Sequence, residues 1–70
     1  MYLYQTIKGA DAVEFCQATL KMEPEVWDLD AVNRVEIHGT SLEDHGEDYC
    51  EFRVFDCHNK LMMSRRELGY

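Results

Sequence analysis

Two stretches of the chain, residues 32–38 and 49–56, alternate between side chains that want solvent and side chains that avoid it. In the first, Val35 and Ile37 point one way and Arg34, Glu36 and His38 point the other. In the second, Cys50, Phe52 and Val54 share a face, and Tyr49, Glu51, Arg53 and Phe55 share the opposite one. A period of two is the pleat of a half-buried strand. The intervening residues 39–48 are polar and contain Gly46, so they read as a turn or a longer hairpin loop. An antiparallel hairpin of this kind has one apolar face that must be covered, and this requirement decides which folds remain open.

The cover is visible upstream. Asp11 and Glu14 have the spacing of a capping box, in which side-chain oxygens satisfy free amides at a helix start. Ala12, Phe15, Cys16, Thr19 and Leu20 then follow the i, i+3, i+4, i+7, i+8 pattern of one helical face. Pro24 disfavours helical geometry at the residue before it, so the predicted helix covers residues 11–22. Ahead of it, residues 2–7 are rich in aromatic and β-branched types and read as a first strand ended by Gly9. In that strand Leu3, Gln5 and Ile7 face one way and Tyr2, Tyr4 and Thr6 the other. Residues 25–31 allow either one helical turn or an irregular crossover, and Trp27 within them must be partly buried or mark a contact surface. Cys57, His58, Asn59 and Lys60 form a tight turn, with Asn59 suited to the left-handed conformation. Residues 61–66 read as a last strand with Leu61 and Met63 aligned, although Leu, Met, Arg and Glu also suit a short helix.

The expected fold is therefore α+β in two layers, one helix packed on a mostly antiparallel sheet in the order β-α-β-β-β, forming a single domain over residues 1–70. A chain this short buries only about 60% of its unfolded surface, so its core is thin. Its 46% apolar content still argues against disorder. The sheet face away from the helix keeps Tyr49, Phe55 and either Tyr2 and Tyr4 or their neighbours. That aromatic content makes it a candidate homodimer or partner interface.

Charge is distributed unevenly. Residues 23–56 hold eleven of the fourteen acidic residues against Arg34 and Arg53 alone, a local charge of −9 within a net charge of −7. Such a field attracts basic surfaces and repels nucleic acid and anionic membranes. Direct nucleic-acid binding is disfavoured further because the basic residues are scattered and the Arg65–Arg66 pair is a small patch. No apolar run is long enough to span a membrane, and the start of the chain lacks the basic and apolar regions of a signal peptide, so the expected location is cytoplasmic.

Candidate chemistry is sparse. Three cysteines are an odd number and do not form a secreted disulfide framework. His38, His45, Cys50, Cys57 and His58 are the right types for zinc, but they lack the C-x2-C and H-x3-H spacings, and adjacent Cys57 and His58 point apart. A Cys–His dyad meets the same objection. The four glycines are isolated, so there is no phosphate-binding loop, and the carboxylates single out no acid–base pair. The expectation is a non-enzymatic protein without a cofactor or metal, with a Cys/His metal module kept as an alternative.

The sharper expectation rests on the acids. Outward Glu36 and Glu51, loop residues Glu43, Asp44, Glu47 and Asp48, and strand-end Asp56 would form one acidic patch on and beyond the second hairpin. Carboxylates on a rigid sheet, some 5–7 Å apart, can imitate the phosphate spacing of nucleic acid, on the order of 7 Å along a strand. With Tyr49 and Phe55 beside them, these residues are the expected contacts for a protein with a basic, nucleic-acid-binding surface. No motif is diagnostic of a family. In size, charge and compact α+β character the chain is similar to the small acidic inhibitors encoded by phages and mobile elements, including anti-restriction and anti-CRISPR proteins. That likeness assigns a role to no individual residue.

Overall fold

The computed structural model describes residues 2–42 and 47–68, and for Tyr2, Tyr4, residues 40–42, residues 47–49 and Leu68 it describes the backbone alone. The elements run β1 (Tyr2–Lys8), α1 (Ala10–Ala18), a 3-10 turn (Leu29–Ala31), β2 (Val32–Leu42), β3 (Glu47–Asp56) and β4 (Leu61–Leu68). The four strands form one antiparallel sheet in the order β1-β2-β3-β4, with α1 against β1 and β2. The two-layer α+β architecture and the element order are those read from the sequence.

The strand-to-helix junction differs from the capping-box expectation. Gly9, with φ at 65°, turns the chain directly from β1 into α1 and is the N-cap. Its carbonyl accepts the Ala12 and Val13 amides at 3.1 and 3.4 Å. The left-handed angle is available to glycine at little cost. Asp11 therefore falls inside the first turn, where a carboxylate favours the helix dipole but caps nothing. The helix also ends earlier than residue 22. Lys21 takes a φ of 56°, and the Met22 amide donates to the Cys16 carbonyl at 3.0 Å. This turn tucks Leu20 and Met22 into the core after the regular helix has ended.

The hairpin is longer than its alternation suggests. β2 and β3 pair from Val32 opposite Asp56 to Leu42 opposite Glu47. Residues 39–42 and 47–48, expected in a loop, are strand. Pairing satisfies backbone amides and carbonyls whatever the side chain, so a ladder can continue past the point where the hydrophobic pattern stops.

The core gathers Ala12, Cys16 and Leu20 from α1 and its exit, Met22 and Leu29 from the connection, and Val32, Val35, Phe52 and Val54 from the sheet. Phe15 tilts against Phe52 with ring centroids 5.6 Å apart. Three shifts of register change which residues share a face. Between Leu3 and Gln5 the pairing slips, so Leu3 lies opposite His38 and is half exposed, while Gln5 and Ile7 lie opposite Ile37 and Val35. The expected grouping of Leu3 with Gln5 and Ile7 is thus broken. A second slip between Val32 and Arg34 brings Val32 into the core beside outward-facing Arg34. The third sets Leu61 opposite outward Phe55 and Met63 opposite inward Val54, so Leu61 and Met63 are not aligned. A one-residue bulge reverses the facing of everything beyond it.

Candidate functional site

Cross-strand partners share a face, so the sheet surface away from α1 can be read from the register. β2 contributes Arg34, Glu36 and His38, and β3 contributes Phe55, Arg53 and Glu51 opposite them. Arg66 of β4 lies opposite Glu51. The Glu36 carboxylate accepts from Arg34 Nε at 2.9 Å and meets His38 Nε2 at 2.8 Å. Glu51 accepts from Arg53 Nε at 2.5 Å and pairs with Arg66 Nη2 at 3.5 Å. The Arg34 guanidinium lies over the Phe55 ring, 4.1 Å from its centroid, and its Nη1 donates to Asn59 Oδ1. The result is a lattice of alternating charges across three strands, in which Phe55 is capped by a cation.

These contacts set the acid response of the fold. His38 and then Arg34 hold Glu36 below its ordinary value of 4.5, chiefly by hydrogen bonding. Arg53 does the same to Glu51. The backbone amide of Lys60, then that of His58, lowers Asp56, whose Oδ1 accepts them at 2.9 and 2.8 Å. A carboxylate whose pKa falls on folding stabilises the protein above its unfolded value, and that contribution is lost as pH drops through the folded value. The melting temperature should therefore be nearly level from about pH 5 to 8 and decline below about pH 4. A Glu36→Gln, Glu51→Gln double variant should melt lower at neutral pH and lose part of that acid slope. Identical slopes in parent and variant would show that the lattice contributes nothing.

The expected acidic patch is thus divided. Glu36, Glu51 and Asp56 have partners within the chain. Glu47, Asp48 and Tyr49 stand at the far end of β3, their backbones opposite Leu42, Ser41 and Thr40. Glu43 and Asp44 lie outside the described residues, as does His45. Among the described residues no three His, Cys, Asp or Glu side chains are grouped to hold a metal ion. Cys16 is buried, and burial pushes its thiol pKa up; Cys50 is half-buried and Cys57 exposed. Cys50 pairs with Gly39 and Glu67 on the helix side of the sheet, away from His38.

A second feature was only hinted at by the sequence. Between α1 and the segment that follows it lies an open groove of about 260 Å³, lined by Val13, Pro24, Trp27, Asp28, Leu29 and Asp30. Gln17 of α1 completes the lining. Trp27 is half-buried against the core, whereas adjacent Val26 is 69% exposed. The readable signal was an aromatic residue set among acids, Glu25-Val26-Trp27-Asp28-Leu29-Asp30.

Charge separates by layer. The helix side, residues 9–31, presents Asp11, Glu14, Glu23, Glu25, Asp28 and Asp30 against Lys21, a net −5 with all seven side chains exposed. The outer sheet face sets Lys8, Arg34, Arg53 and Arg66 against Glu36 and Glu51, a net +2. Among the described residues none of the six helix-side acids makes a salt bridge.

Fold and charge together define a two-layer α+β domain with one acidic layer. No protein-family model, curated protein or solved structure matches the chain. Among the described residues no helix is long and apolar enough to cross a membrane.

Proposed function

We propose that the protein is a non-enzymatic interaction module that occupies a basic surface of a partner protein with its carboxylates, in the manner of an inhibitor that competes with nucleic acid. The observation that carries this reading is the separation of charge. Acids on the outer sheet face are neutralised by neighbouring arginines, while those of the helix layer stand exposed without ion pairs among the described residues. The sequence adds Glu43, Asp44, Glu47 and Asp48 at neighbouring positions in the chain. Exposed charge that is not used within a fold is free to steer association with an opposite charge.

The test uses a partner captured from host lysate and then purified. Its affinity should fall at least about tenfold between 50 and 500 mM salt, concentrations around which screening lengths shrink from roughly 10 Å toward 3 Å. A nucleic-acid competitor should displace the protein from it. Affinity indifferent to both salt and nucleic acid would reject the reading.

A further inference from the structure

We propose that the groove between α1 and residues 24–30 seats an arginine side chain presented by a basic segment of the partner protein. This deepens the acidic-module reading and rests on it. The groove is amphipathic. Val13, Pro24, Trp27 and Leu29 supply apolar lining, and exposed Asp28 and Asp30 supply carboxylates. Arginine has the matching build: a methylene stem that prefers apolar surface, and a planar cationic head that stacks on aromatic rings and pairs with carboxylates through two parallel bonds.

Other occupants fit less well. A purely apolar side chain would strip water from Asp28 and Asp30 and return no partner. An anion would enter against a layer of net charge −5. A bare metal ion lacks ligands, since no three metal-ligating side chains are grouped among the described residues. Lysine carries the charge but is compact and strongly hydrated, and it cannot stack on Trp27 as a plane. Exposed Val26 beside the groove offers contact to residues flanking the arginine.

Trp27 is the only tryptophan in the chain, so its fluorescence reports on the groove directly. The full chain is titrated with an oligo-arginine peptide, an oligo-lysine peptide of equal length and an oligo-glutamate peptide. The expected result is a saturable change in Trp27 emission with oligo-arginine, a several-fold weaker response to oligo-lysine, and none with oligo-glutamate. Asp28→Asn with Asp30→Asn should weaken oligo-arginine binding about tenfold or more. The change is exposed, and Asp28 makes no side-chain cap, so folding should be retained. Asp11→Asn with Glu14→Gln removes the same charge from residues that do not line the groove and should weaken binding less than about threefold. Equal losses in the two pairs, or equal response to the two cationic peptides, would overturn the arginine seat and leave the acidic-module reading standing. Absence of binding by either cationic peptide at low salt would overturn both.

Discussion

Phe52→Ala is expected to leave the protein largely unfolded at 37 °C. Phe52 is 4% exposed, lies opposite Ile37 in the sheet, and carries the tilted contact with Phe15 that joins helix to hairpin. Truncating a buried phenylalanine costs about 3–5 kcal/mol through lost transfer energy and the cavity left behind. A domain of this length has roughly 4–10 kcal/mol in total, at about 0.05–0.15 kcal/mol per residue. Urea denaturation followed by circular dichroism reads the effect. Leu61→Ala is the control: its side chain is 48% exposed on the outer face, and the change should stay within about 0.5 kcal/mol. A Phe52→Ala loss below about 1.5 kcal/mol would mean that the helix–sheet contact is not the main source of stability.

Changing Glu43, Asp44, Glu47 and Asp48 together to Lys should have the largest effect on binding. The change adds eight units of charge and takes the whole chain from −7 to +1. Charged residues of these types are almost never fully buried, and substitutions outside a core rarely shift stability by more than about 0.5 kcal/mol each, so the circular dichroism spectrum should be retained. Association steered by opposite charge should fall by about two orders of magnitude at low salt, because the same positions now repel a basic surface. Parent-like binding would remove the hairpin end from the recognition surface. If Asp28→Asn with Asp30→Asn then abolishes binding to the same partner, recognition lies on the helix layer. Comparing the two variants therefore locates the acid surface and does not merely confirm that charge matters.

Much of the architecture was legible because it is encoded locally. Of the expected helical face, Ala12, Phe15, Cys16 and Leu20 join or pack on the core, whereas Thr19, where the helix ends, is exposed. The inward set Val35, Ile37, Cys50, Phe52 and Val54 repeats every two. Asn59 adopts its left-handed angle, φ 62°, because its own side chain tolerates it, and Asp56 closes the same turn on two amides. The candidate site was less legible. Glu36 and Glu51 read as outward acids, which they are, but whether an outward acid is free depends on what stands beside it on the next strand. The i, i+2 pairs Arg34–Glu36 and Glu51–Arg53 were a usable sign of compensation.

By itself, the sequence left residues 61–66 between strand and short helix but determined the first strand, the helix, the hairpin and its two faces, most core residues of helix and sheet, and the total charge. Each follows from side-chain periodicity or residue chemistry along a continuous stretch. Only the tertiary structure decided the last strand, the three register shifts, the neutralisation of Glu36 and Glu51, the standing of the helix-layer acids without ion pairs among the described residues, and the groove beside Trp27. These depend on which residues from separate segments become neighbours. A slip of one residue in pairing leaves the sequence pattern almost unaltered yet exchanges the faces on which every later side chain stands.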